Sequence, residues 1–400
     1  MRLSARCASA ALLLLIPLAT AQGAAAGGAA EQAGAAAAPL QRAVQVVPGQ
    51  YIVTVREGLD PAATAAKVHG VEPLHTYRTV LNGFSARLDA GQLERVRALP
   101  GVEAVEEDGF TSIPKAVAAS ASAMREAASS WGLDRIDQKE LPLDESFTVT
   151  GDGAGVTAYV IGTGIEYAHE EFEGRATSGT DVVGDGQEGA DCNGHGTHIA
   201  GTIGGKTYGV ARKVNLVGVR VLSCDGTGTT ERLIAGLDWV AANAKKPAVA
   251  NISLGGDESE AVNKAATALS DTGVLPVLAA GNDSKDACYV SPASAERVLT
   301  VAASSKFDEE TSFSNYGTCV DLYAPGADIV SAKLGGGSIA QSGTSMAAPH
   351  VVGVVALYLA AHPDATPEGI AEWIGDNTTK DVLTKVSKST PNALLYTNGL

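Results

Sequence analysis

Downstream of Trp131 the chain alternates short, almost unbroken apolar runs with longer amphipathic stretches, and that alternation admits few folds. The runs at 156–161, 216–222, 249–254, 274–279 and 298–302 read as strands covered on both faces, because a strand with one wet face would alternate polar and apolar residues. Between and after them, 196–203, 230–244, 260–271 and 344–360 carry helical patterning. Strands alternating with helices imply an α/β architecture: a doubly wound, mainly parallel sheet with helices on both sides. In such sheets the ligand site lies in loops at the carboxyl ends of the strands.

The chain's 400 residues, 45% of them hydrophobic, allow a second folded part. Residues 49–110 supply one. Tyr51-Ile52-Val53-Thr54-Val55 has strand composition, 61–69 reads as a short helix, 83–88 alternates like a strand, 92–99 is helical, and 102–105 is a last short strand. That is a small α+β module of ferredoxin-like type. Residues 22–48, rich in Ala and Gly at their start, read as a linker, and 111–123 as an exposed, cleavable one; 124–400 form the main domain.

At the N-terminus, Arg2 and Arg6 precede an apolar run at 10–18 and the small residues Ala19-Thr20-Ala21, the layout of a secretory signal over 1–21. The run is far shorter than the ~20 residues of a membrane span, so no membrane association is expected once the signal is removed. Cys7 precedes the run and leaves with it. Cys192, Cys224, Cys288 and Cys319 then make an even set in an exported, extracellular protein, which points to two disulfides. Sequence alone leaves three pairings open, and no CxxC pair suggests metal. The formal net charge of −16 argues against nucleic acid as a partner.

Three segments carry chemistry. A hydroxyl is a poor nucleophile at neutral pH and needs an imidazole to take its proton and preformed donors to hold the resulting oxyanion. Gly343-Thr344-Ser345-Met346-Ala347-Ala348-Pro349-His350 starts the long helix, where free N–H groups face the site, and makes Ser345 the candidate nucleophile. Asn193-Gly194-His195-Gly196-Thr197-His198 opens another helix behind small residues and makes His195 the candidate base. His198 and His350 read as structural. A His-x-x-His zinc site lacks an acidic third ligand at metalloprotease spacing, and no carboxylate pair with a glycosidase setting occurs. Ala279-Ala280-Gly281-Asn282 ends a buried strand with an amide suited to donate to an oxyanion, together with the Ser345 N–H.

These strings resemble the subtilisin superfamily of serine endopeptidases over 131–396. Asp191-Cys192-Asn193-Gly194-His195, Trp131-Gly132-Leu133-Asp134-Arg135-Ile136 and the cysteine spacing are most similar to the proteinase K and aqualysin branch. The resemblance implies the pairs Cys192–Cys224 and Cys288–Cys319, a monomer that cleaves polypeptides through an acyl-enzyme without a catalytic cofactor, and an N-terminal module that acts as an inhibitory propeptide and folding aid. Removal would fall near Ala123-Met124. Gly226, Thr227 and Gly228 on one side, and Ser253, Leu254, Gly255 and Gly256 on the other, would clasp an extended substrate by backbone pairing. Ala279, Ala280 and Gly281 would help line a primary pocket of apolar or aromatic preference. Carbonyls of Glu296 and Val298 with the Asp321 carboxylate would hold a structural calcium ion.

One position departs from the family pattern. Tyr159-Val160-Ile161-Gly162-Thr163-Gly164-Ile165 places Gly162 where the family has the aspartate of its catalytic triad. That aspartate fixes the histidine tautomer and stabilises the imidazolium formed during attack. Glu166 and Asp191 are the nearest carboxylates in sequence, and neither reads as a compensating change. The expectation is a strongly impaired endopeptidase; the alternative is a pseudoprotease that stays clasped to its own propeptide or binds peptides.

Overall fold

The computed structural model describes residues 37–115 and 130–400. The signal over 1–21, most of the Ala/Gly-rich segment and the Ala123-Met124 bond lie outside the described residues. The main domain is built on a nine-stranded sheet in the order Thr379–Lys380, Ala393–Leu394, Leu322–Pro325, Leu299–Ser304, Leu275–Ala279, Ala248–Ile252, Thr157–Gly162, Asn215–Arg220, Ala176–Asp181. Every neighbouring pair is parallel except the short 379–380 and 393–394 pair. The order reverses at Thr157–Gly162, from which the chain first builds towards one edge and then towards the other. That reversal opens a crevice at the carboxyl ends of the central strands.

The central apolar runs face both ways. Ala158, Val160 and Val249 pack with the Thr344–Ala361 and His195–Gly204 helices, whereas Tyr159, Ile161, Ala250 and Ile252 pack with the Thr230–Asn243 and Glu260–Asp271 helices. Strand period two thus feeds two cores at once, which is why these segments show no polar alternation. The Thr344–Ala361 helix is apolar all round because it lies buried in the first core, Pro349 included.

The N-terminal module is an antiparallel sheet of Val46–Val55, Pro73–Tyr77, Gly83–Arg87 and Val102–Ser112 with the helices Pro61–Ala65 and Ala90–Arg97. Four expectations are corrected. The linker ends earlier than residue 48, since Leu40–Gln41 pairs with Val105 and Glu106, and Val46 already belongs to a strand. The first helix stops at Ala65, four residues short, because the chain turns there to put Val68 and Val71 into the module core. The second begins at Ala90, since Asp89 and Gln92 form a reciprocal capping box. The last strand runs to Ser112, not Val105.

That extension lies over the main domain. Phe110, Thr111 and Ser112 pair antiparallel with Thr229, Gly228 and Thr227 on one side, and Thr111 and Ser112 pair with Gly256 and Gly255 on the other. Side-chain periodicity does not hold this segment in place; main-chain pairing between two edges does. Just upstream, Glu106 accepts from Ala261 N at 3.1 Å and from the Ser259 hydroxyl, at the start of the Glu260–Asp271 helix. Asp108 accepts from Glu231 N at 3.0 Å, at the start of the Thr230–Asn243 helix, and from Gln50 at 2.8 Å. Two carboxylates of the module thereby meet two positive helix ends of the main domain. In return, Asp238 of the main domain accepts from the backbone N–H groups of Arg78, Thr79 and Val80.

Burial, reinforced by the Glu231 charge, raises Asp108 from its ordinary 3.8 to about 7. Docking of the module therefore takes up a proton. The Asp108 contribution is full below about pH 4 and is lost as pH rises through 7. For the cleaved, non-covalent complex the dissociation constant is expected to rise about tenfold or more from pH 5 to pH 8, and Asp108→Asn to remove most of that slope. A variant that keeps the full slope would assign the pH dependence to another group.

Candidate active site

At the crevice, the strand ending in Gly162 and the helix opening at His195 are tied through one buried carboxylate. Asp191 Oδ1 accepts from the Thr163 hydroxyl at 3.0 Å and from the N–H groups of Asn193 and Gly194, both at 2.9 Å. Its Oδ2 accepts from Thr197 N at 2.9 Å and the Thr197 hydroxyl at 2.7 Å. Asp191 thus anchors the first turn of the helix. Thr163 Oγ1 also accepts from Gly196 N at 3.0 Å, and a Cβ on Gly196 would lie 2.0 Å from the Gly164 carbonyl, so only glycine permits this contact.

His195 is 8% exposed, and its Nδ1 makes no hydrogen bond among the described residues. Burial pushes the imidazole down to about 4, against the opposing pull of the Asp191 charge. Neither neighbouring carboxylate reaches it. Asp191 is committed as above, and Glu166 Oε2 accepts from Gly335 N at 2.8 Å. Over Gly162 there is open space, since an added Cβ would meet no atom within 4 Å. His198 and His350 lie elsewhere: His198 Nε2 bonds the carbonyls of Ile329 and Ile339, and His350 Nδ1 bonds that of Met346.

Ser345 sits in the first turn of the Thr344–Ala361 helix, which packs against the His195–Gly204 helix. Its Oγ donates to the Ser253 carbonyl at 3.3 Å and makes no hydrogen bond to His195 among the described residues. Asn282 is fixed through its Oδ1, which accepts from Thr344 N at 2.9 Å and the Thr344 hydroxyl at 2.8 Å. That leaves Nδ2 to point outward, where it donates to the Lys115 carbonyl of the N-terminal module at 3.1 Å. Sequence reasoning missed Thr344 as the support for this amide, and Asn315, which bonds the Ala280 carbonyl at 2.8 Å and whose N–H donates to the Gly281 carbonyl. A threonine beside the candidate serine was the only available signal.

The module's last strand follows the predicted edges. Ile113 N donates to the Gly226 carbonyl at 3.0 Å, beyond the pairs with Thr227, Gly228, Gly255 and Gly256. A Cβ on Gly256 would come 2.5 Å from the Phe110 carbonyl, which explains the glycine. The Leu254 side chain belongs to the second core, and that of Ala280 packs with Ala287, Val290 and Ala302.

Cys192 is bonded to Cys224, and Cys288 to Cys319. The first bridge adjoins Arg220, a fully buried guanidinium paired with Asp181 and Asp185. Glu296, Val298 and Asp321 line one cavity of about 560 Å³ that Asp271 and Glu368 also border.

Comparison with known proteins gives the same picture. Residues 153–395 match the model of the subtilase family and residues 50–113 that of the peptidase inhibitor I9 family. Over 316 residues the chain is 49% identical to the alkaline serine exoprotease A of Vibrio alginolyticus, covering 79% of this chain and 58% of that one. Over 381 residues it is 44% identical to an extracellular serine proteinase of Thermus sp. (strain Rt41A), covering 89% and 91%. A crystal structure of a cold adapted subtilisin-like serine proteinase superposes with a TM-score of 0.66 at 51% identity, over 68% of this chain and 98% of that one. The chain therefore belongs to the subtilase family, with proteinase K-like and aqualysin-like relatives and an I9-type propeptide domain ahead of its peptidase domain.

Proposed function

We propose that this protein is the precursor of a secreted serine endopeptidase whose hydrolysis is strongly impaired by Gly162. In this reading Ser345 Oγ attacks the scissile carbonyl carbon while His195 Nε2 takes its proton. The Asn282 amide and the Ser345 N–H hold the oxyanion, and the proton on Nε2 then passes to the leaving amine. The observation that carries the reading is the groove itself: an extended strand of this same chain, paired on both edges, has a carbonyl on the Asn282 amide. The impairment rests on Nδ1 of His195. With no carboxylate at 162, no group among the described residues hydrogen-bonds Nδ1 of the imidazolium that attack must create, and in subtilisin itself loss of that aspartate alone costs about 3 × 10⁴ in kcat.

Slow turnover gives the second reading weight. The carboxylate caps of Glu106 and Asp108 and the paired final strand favour a propeptide that stays seated, so the secreted product is a latent complex. The bond that follows Lys115 is the one whose carbonyl meets the Asn282 donor, and we assign the first cut there in preference to Ala123-Met124. That assignment puts Lys115 at the primary pocket, so a pocket walled by Ala279 and Gly281 would take a long side chain along its apolar stem, and the strictly apolar or aromatic preference expected from the resemblance is not carried into this cut.

In this reading a structural calcium ion stays at Glu296, Val298 and Asp321: the donors would be oxygens, Asp321 Oδ2 accepts from Thr300 N at 2.8 Å, and Asp271 and Glu368 border the cavity. The Glu296 carbonyl, however, already accepts from the Thr267 hydroxyl, and no cluster of three or more metal-binding side chains occurs among the described residues. Such an ion would stabilise the fold, not take part in hydrolysis.

The chain as written, Gly162→Asp, and Gly162→Asp/Ser345→Ala are to be secreted in parallel and weighed as intact masses. Gly162→Asp is expected to lose its N-terminal residues up to Lys115, the double variant to stay whole, and the parent to mature at least about 10³-fold more slowly. Maturation of the parent at the Gly162→Asp rate would refute the impairment; a product that starts near Met124 would refute the Lys115 assignment. For the cation, millimolar calcium after chelation is expected to raise Tm by about 5 °C or more, and Asp321→Ala to abolish the response. An unchanged Tm in the parent would remove calcium from the site.

A further inference from the structure

We propose that the space over Gly162 is a binding site for a small monocarboxylate of formate size, which takes the place of the missing side chain and restores turnover. The inference rests on the catalytic reading above. Three observations carry it. The Cβ direction at Gly162 is clear of atoms to 4 Å, and Gly162 does not have positive φ, so the backbone is already in a conformation that a side chain accepts. His195 Nδ1, within a residue more than nine-tenths buried, has no partner among the described residues. Arg220, the register partner of Gly162 on the adjacent parallel strand and therefore on the same sheet face, carries a buried Nε that is also unpartnered.

The walls are rigid. The Gly162 carbonyl accepts from Val221 N at 2.9 Å and Leu222 N at 3.1 Å, and Thr163 holds Gly196, the residue after His195. A buried ring nitrogen without a partner is costly, so an acceptor that reaches Nδ1 holds the proton there and makes the missing bond. The nearby charges include opposing ones. Asp181 and Asp185 are bound to the other nitrogens of Arg220, and Asp191 is saturated by five donors, which weakens the repulsion each exerts on an entering anion.

In the restored reaction the carboxylate accepts the Nδ1–H hydrogen bond and stays ionised. The Ser345 hydroxyl proton goes to Nε2 as the Oγ–C bond forms, and from Nε2 to the amine as the C–N bond breaks. Water then repeats the sequence on the acyl-enzyme. The carboxylate is neither consumed nor protonated.

The test uses the full precursor as written, incubated with sodium formate, sodium acetate, sodium propionate or sodium chloride at equal ionic strength. Maturation is followed by intact mass, and the His195 ring by ¹⁵N NMR. Formate is expected to accelerate maturation about tenfold or more, acetate less, and propionate and chloride not at all, with a formate-dependent change at Nδ1. Gly162→Ala narrows the space and is expected to lose most of the response. No acceleration and no Nδ1 change with formate, while Gly162→Asp matures normally, would overturn the carboxylate site and leave the catalytic reading intact. A folded Gly162→Asp that does not mature, or formate acceleration that persists in Ser345→Ala, would overturn the catalytic reading and the site with it.

Discussion

One buried carboxylate organises the centre of the molecule. Asp191 gathers five donors from the end of the central strand, the turn before His195 and the first turn of the helix behind it. Donors of this number fix a carboxylate in one orientation at low dielectric. The close glycine contact between Gly196 and Gly164 becomes possible only once that hub has set the strand and helix together. The same saturation explains why a carboxylate so near the imidazole contributes field but no hydrogen bond. Its position in sequence does not read as a compensating change, and the donor count agrees with a structural residue.

The propeptide and the peptidase divide a single electrostatic task. Each of the two helices that flank the second core begins with N–H groups that no residue of its own helix can satisfy. Glu106 and Asp108 satisfy part of that need from outside, and Asp238 does the reverse for the 78–80 turn. Ile52, Tyr77, Val80 and Leu81 add apolar contact to the same cluster as Leu233 and Ile234. An acidic cluster that sequence would assign to a solvated surface is therefore buried, and its ionisation is perturbed as a result.

What sequence made legible was whatever depends on periodicity or on a rare string. The five two-sided strands and the 260–271 helix follow from apolar pattern alone. The short helix Trp131–Ile136 and the strands Leu322–Pro325 and Ala393–Leu394 escaped because a few residues carry too little pattern to separate from loop, whereas the eleven-residue helix Pro367–Asn377 was missed although Thr366 and Pro367 supply a helix start. The stretch 106–112 escaped for a different reason: its charges and small residues argue against a strand until the partner edges and helix ends are in place. The candidates Ser345, His195 and Asn282 are each singled out by their neighbours in sequence. The support given by Thr344 and Asn315, the exhaustion of Asp191 and the seating of Lys115 are relations between distant segments and have no local signature.

The backbone around Gly162 is regular. Gly162 pairs with Arg220 and Ile161 with Ile252 in register, and an added Cβ would meet no atom within 4 Å. A core residue lost and then repacked would be hard to reinstate, since the new packing would oppose it. Here no atom within 4 Å opposes a side chain at 162. A substitution at 162 is therefore a change of chemistry more than of packing, since the scaffold around it needs no second change to accept a new side chain.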